Sequence, residues 1–191
     1  MKTAYVLDTN AYALFFQAPK SDARINLEKV LNTDGIMSFF IPEIVSMEIH
    51  SVLGKFRRGS AVEQHEPCSK NVISSDKVTA CTHTCYLPPR ARMKPRVYKE
   101  LIKMLGDIEK KQGSIQADLL PLGTREMNIG KEVLIQLAHR FSFGSHDALV
   151  AGTVMAANES GMDLVLVTSD KSLKAVCREQ NIPHFDPNIS M

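Results

Sequence analysis

Apolar positions along the chain fall into two alternating patterns, short unbroken runs and longer stretches with helical spacing. Thr3–Leu7 is almost continuously apolar, with Tyr and Val among its residues, which predicts a strand buried on both faces. Asn10–Gln17 starts a helix. Ser21 and Asp22 are candidate caps for DARINLEKVLN, where Ile25, Leu27, Val30 and Leu31 form one stripe. Ile36–Ile41 predicts a second buried strand. Pro42 then suits a first helical turn, and EIVSMEIHSVLGKF repeats Ile44, Val45, Ile49, Val52, Leu53 and Phe56 at helical spacing, with Gly59 as a stop.

From about residue 60 to 95 the periodicity breaks, and three of the four cysteines fall there. It returns in VYKELIKMLGDIEKK, where Val97, Leu101, Met104, Leu105 and Ile108 share a face. A strand is expected within Ile115–Leu122 and a helix in EMNIGKEVLIQLAHRF. Ser145 is a candidate cap for DALVAGTVMAANES, which Gly161 closes. Asp163–Val167 is a clear buried strand, followed by the short helix KSLKAVCREQN and a last strand at His184–Phe185. Strands separated by helices predict an α/β fold with a central parallel sheet and right-handed crossovers. The 191 residues fit a single domain with an inserted segment at about 60–95.

Composition narrows the classes. At 44% hydrophobic and 23% charged, the chain is ordinary for a globular protein, which argues against wholesale disorder. A net charge of +2 neither announces nor excludes a nucleic-acid partner, because local basic patches matter more than the total. No apolar run approaches the ~20 residues of a membrane helix. MKTAYVLDTN carries an acid where a signal peptide needs an unbroken apolar core. The expectation is a cytoplasmic protein with its cysteines reduced or bound to metal.

In open parallel sheets, ligands bind beyond the carboxyl ends of the strands. Asp8 directly follows the first strand, and Asp170 follows DLVLV after Thr168 and Ser169. Asp147 stands in the first turn of its helix, and Glu48 shares a helix face with Ile44 and Val52. Each acid alone has a structural reading, as a helix cap or a solvated residue. Four acids at one end of a sheet repel each other unless a cation neutralises them, and hard oxygen donors suit Mg²⁺ or Mn²⁺.

VLDTN, IPEIVSMEI, SHDALVAG and LVTSD occur in order and in these contexts. Together they resemble the PIN-domain nucleases, and among them the VapC-type toxin ribonucleases, over roughly residues 3–56 and 115–186. The resemblance implies a PIN-like three-layer fold, a central parallel sheet flanked by helices. It also implies an acidic site in which Asp8, Glu48, Asp147 and Asp170 hold one or two Mg²⁺ or Mn²⁺ ions, supported by Asn10 and Thr168. The implied activity is metal-dependent hydrolysis of RNA phosphodiesters, with a small antitoxin and a second copy of the chain as partners. Two other classes stand beside it: a non-catalytic RNA- or protein-binding module on the same fold, and an aspartyl phosphotransfer enzyme. The latter commonly has a second Asp two residues after the first, where this chain has Asn10.

Two features lie outside that pattern. His65, Cys68, Cys81 and Cys85 are spaced as two ligand pairs with a loop between them, which admits a small structural zinc site, a loop with free thiols or a surface hairpin. Arg90, Arg92, Lys94 and Arg96, with Arg57 and Arg58, could grip RNA phosphates or form a solvated basic loop. Cys177 reads as a small buried hydrophobe, and His146 as a structural or substrate-side residue.

Overall fold

The computed structural model describes residues 3–59, 64–67, 71–74, 77–80, 84–87 and 91–189. By its internal packing the chain divides into two units, Met1–Ser51 with Glu100–Met191, and Val52–Lys99.

The first unit is built on a sheet. The chain runs through β1 (Ala4–Leu7), α1 (Thr9–Ala13) with a 3₁₀ turn at Leu14–Phe16, and α2 (Asp22–Leu31). Next come a short β2 (Asn32–Thr33), β3 (Ile36–Pro42) and α3 (Glu43–Arg58). Pro42 is therefore the last rung of a strand, paired with Leu120, and the helix begins one residue later than the proline rule suggests. The predicted cap of α2 is present: the Ser21 hydroxyl accepts from Arg24 N at 3.3 Å.

β3 runs parallel to β1 on one side through the Val6–Phe40 rung and parallel to a later strand over Ile115–Leu120 on the other. The aromatic residues after Asp8 pack beneath it. Tyr12 meets Phe39 edge-on at 5.9 Å, and Phe15 stacks on Phe39 at 5.4 Å. Val6, Leu7, Ile41, Leu27 and Ile49 are all essentially inaccessible to solvent.

The second unit contains four short strands, β4 (Gln64–Pro67), β5 (Asn71–Ser74), β6 (Lys77–Ala80) and β7 (Thr84–Leu87). β4 pairs with β7 and β5 with β6, both antiparallel. From the Pro67–Thr84 rung to the Asn71–Ala80 rung each strand advances by four residues, so the two ladders share one register. The aperiodic stretch of the sequence thus contains backbone pairing that no hydrophobic alternation announces. His65 and Cys85 stand on consecutive rungs of the first ladder, opposite Tyr86 and Glu66, whereas Cys68 and Cys81 lie outside the described residues. Two basic stretches also meet within this unit. Met93 N donates to Phe56 O, the Arg57 guanidinium donates to Met93 O, and Arg92 donates to Arg58 O. Arg58, Lys94 and Arg96 are exposed, and Arg90 lies outside the described residues. α3 ends as expected, with Gly59 in the left-handed region at φ 67°.

After α4 (Pro95–Glu109) the chain returns to the sheet with β8 (Ile115–Leu120), then α5 (Thr124–Leu137), α6 (Ser145–Glu159), β9 (Leu164–Val167), α7 (Lys171–Glu179) and β10 (His184–Phe185). The parallel strands run in the order β8, β3, β1, β9, β10, and the two-residue β2 adds an antiparallel pairing to the start of β3. Helices flank the sheet, as the alternating pattern predicts. α5 and α6 approach closely because each has a glycine at the crossing. A Cβ built on Gly152 would stand 2.7 Å from the Glu126 carbonyl oxygen and 2.8 Å from Gly130 N. Among the described residues no helix is long and apolar enough to cross a membrane.

Candidate active site

Among the described residues four polar or charged residues are buried: Asp8, Thr9, Thr153 and Thr168. The Thr153 hydroxyl satisfies itself on Leu149 O in its own helix. The other three gather at the carboxyl ends of β1 and β9, where a sheet of this kind binds its ligands.

Strand register explains why. Leu7 pairs with Val167 in the parallel ladder, so the next residues, Asp8 and Thr168, stand side by side. Asp8 N continues the ladder by donating to Val167 O. The Thr168 hydroxyl then donates to Asp8 Oδ2 at 2.5 Å and accepts from Asp170 N at 3.1 Å. The other Asp8 oxygen accepts from Ala11 N at 2.6 Å, capping α1. One buried hydroxyl therefore links two acids that are 162 residues apart in sequence.

The remaining acids arrive on helices. Asp147, in the first turn of α6, reaches back to accept from Gly144 N at 3.2 Å. The cap thus lies one residue before the predicted one: Gly144 is the N-cap and Ser145 the first helical residue. Asp170 caps α7 by accepting from Leu173 N at 2.8 Å. Glu48, near the middle of α3, accepts the Thr9 hydroxyl on Oε2. His146 Nε2 lies 2.8 Å from that same oxygen, but the ring is not oriented for a hydrogen bond. Glu48 is half-buried and paired, which removes the cost of an acid on an apolar stripe.

Capping and clustering are thus not alternatives here, because Asp8, Asp147 and Asp170 do both. The electrostatics show the cost. Burial pushes the Asp8 carboxyl up to about 6, against the hydrogen bonds from Thr168 and Ala11, and the charges of Asp170 and Asp147 push it further the same way. Asp147 is also raised, first by burial, with Asp170 and Glu48 contributing repulsion. Such a cluster is relieved by a cation. Among the described residues no three His, Cys, Asp or Glu side chains form a ready-made cation cage. Glu48 Oε1, Asp147 Oδ1 and Asp170 Oδ2 nonetheless take part in no hydrogen bond among the described residues. The donor set is all oxygen and fits a hard divalent ion.

Asn10, expected to support Asp8, is exposed on α1, and the hydrogen bonds to Asp8 come from Ala11 and Thr168. Sequence reading missed Thr9, the partner of Glu48. Its only signal was its place between two polar residues of the LDTN stretch.

No family model matches the chain, and no curated protein matches it by sequence. Solved structures do match. FitAcB from Neisseria gonorrhoeae superposes with a TM-score of 0.59 at 12% identity, over 97% of this chain and 99% of that one. FitAB bound to an IR36 DNA fragment gives 0.58 at 12% identity, over 98% and 97%. DNA-bound VapBC from Salmonella typhimurium gives 0.55 at 14% identity, over 97% and 98%. The parallel β8-β3-β1-β9-β10 sheet flanked by helices is accordingly a PIN-like fold, shared with these structures.

Proposed function

We propose that the protein is a divalent-metal-dependent endoribonuclease acting as the toxin of a toxin–antitoxin pair. The observation that carries this reading is the convergence of Asp8, Glu48, Asp147 and Asp170 at the carboxyl end of the sheet, with Asp8 buried and its carboxyl raised to about 6. A structural cap gains nothing from such a cost, whereas a cation site uses it. The fold shared with the FitAB and VapBC structures supports the toxin reading.

Asp8 and Asp147 are the proposed direct ligands of Mg²⁺ or Mn²⁺, with Glu48 binding directly or through water and Asp170 acting from further away. The bound ion supplies positive charge that acidifies an attacking water and neutralises the phosphate. The protein's part is to hold these oxygens in place. Thr168 fixes Asp8 Oδ2 by donating its proton, and Thr9 fixes Glu48 Oε2 the same way. Burial of Asp8 keeps bulk water from screening its charge. The basic residues Arg57, Arg58, Arg92, Lys94 and Arg96 are the proposed phosphate contacts. The proposed partners are RNA, a small antitoxin protein and a second copy of the chain. The whole chain is read as one PIN-like domain carrying the insertion at about 60–95, with zinc as a candidate ion for the latter.

The test is incubation of the purified chain with structured cellular RNAs in Mn²⁺, Mg²⁺ or chelator. Cleavage at defined positions that is lost with chelator and in Asp8→Asn is the expected result. Equal cleavage by that variant would refute the site, and no cleavage of any RNA would favour a binding module. Elemental analysis of the same sample for zinc decides the fate of the cysteine-rich segment.

A further inference from the structure

Asp186, just after β10, receives more hydrogen bonds than any acid of the candidate site. Its Oδ1 accepts from the Ser169 hydroxyl at 2.9 Å and from Asn188 N at 3.0 Å, and its Oδ2 accepts from the Lys174 ammonium. The Asn188 carboxamide donates back to Ser169 Oγ at 2.7 Å, so both functions of that hydroxyl are used. The backbone adds two ties: Thr168 N donates to Phe185 O, and the Asn26 carboxamide donates to Pro187 O. The Asp186 side chain is 8% exposed and that of Lys174 16%, so their ion pair competes little with water, whereas the two bonds from Asn188 are exposed.

Ser169 is the middle residue of the Thr168–Ser169–Asp170 triplet. Its neighbours hold Asp8 and cap α7, respectively. The triplet is therefore held from two sides, by the acidic cluster through Thr168 and by the C-terminal turn through Ser169. We propose that Asp186 is a positioning residue for the acidic site: with Asn188 it pins Ser169, and so fixes where Thr168 and Asp170 present their oxygens. Its consequence for cation binding rests on the reading of the acidic cluster as a metal site.

The test compares Asp186→Ala and Ser169→Ala with the conservative Asp186→Asn, all in the full chain. Calorimetric titration with Mn²⁺ gives the affinity, amide exchange by NMR reports the Asp170 and Leu173 N–H groups, and a melt reports stability. The alanine variants are expected to weaken Mn²⁺ binding by about tenfold, as loss of an outer partner of a metal ligand does. They are also expected to speed exchange at Asp170, whereas Asp186→Asn, which keeps an acceptor for Ser169, stays near wild type. Lowered melting temperature with unchanged Mn²⁺ affinity and unchanged exchange at Asp170 would overturn the proposal. If Asp186→Ala does not fold, Ser169→Ala decides on the same readouts. If the wild-type chain binds no Mn²⁺, the metal reading fails, and exchange at Asp170 still decides the pinning: faster exchange in the variants supports it, unchanged exchange refutes it.

Discussion

Replacing Asp8 by Asn should destroy the proposed activity yet stabilise the metal-free protein at neutral pH. The Asp8 carboxyl stands at about 6 in the fold against an ordinary 3.8, chiefly because it is buried. The folded chain therefore holds a proton that the unfolded chain has released between roughly pH 4 and pH 6. For a group raised in this way, the stabilising contribution is full below about pH 4 and lost as the pH rises through about 6. At about 1.4 kcal/mol per pH unit, the rise corresponds to about 3 kcal/mol lost at pH 7.5. A carboxamide never ionises, so the variant avoids this loss, but it gives up the charge-assisted hydrogen bond from Thr168. A net gain of about 1–2 kcal/mol remains, which in a chain of this size raises the melting temperature by roughly 2–8 °C.

The assay is thermal unfolding of both proteins in chelator from pH 4 to pH 8, read as the difference between the two curves. The difference matters because Glu28 and Asp186 are lowered and act with the opposite sign, their contributions being lost as the pH falls. The difference should be near zero at pH 4 and grow to its full value above about pH 6. Added Mn²⁺ should then raise the melting temperature of the wild type and leave the variant nearly unmoved. An Asp8→Asn protein that melts at or below wild type at pH 7.5 in chelator would refute the account of the buried charge.

Other outcomes follow from the same geometry. Thr168→Val leaves Asp8 Oδ2 and Asp170 N without their shared partner, and calorimetry should show Mn²⁺ affinity reduced by about ten- to a hundredfold. Gly152→Ala places a methyl group 2.7 Å from the Glu126 carbonyl oxygen, forcing α5 and α6 apart. Denaturant melts should show a loss of about 1–3 kcal/mol, and no loss would show that the two helices can separate freely. Cys177 is buried and its thiol is pushed up to about 12 by burial, with Asp8 adding to the shift. Iodoacetamide at pH 8 followed by peptide mapping should leave it unmodified in the native chain and alkylate it in guanidinium.

The fold was written largely in local pattern. Val6, Leu7, Ile41, Leu164, Leu166 and Val167 lie in unbroken apolar runs because strands covered on both faces meet no solvent, and every one of them is buried. The segment from 60 to 87 was not legible, because its ladders are made by backbone pairing without an apolar alternation to mark them. The acids could be named from their positions at strand and helix ends, but what holds them could not. Asp8 and Thr168 meet because Leu7 pairs with Val167, and Glu48 meets Thr9 only after β3 has set α3 beside α1. Asn10 stands two residues after Asp8 in sequence, yet it is exposed on the helix that Asp8 caps. Asp186 gave no signal at all, since nothing in its surroundings foretells that the β9–β10 register would set it against Ser169. The sequence by itself determined the periodicities and the places where charge interrupts them. Tertiary structure decided which donor meets which acid, because hydrogen bonds act over about 3 Å and only the packing of strands and helices brings distant residues that close.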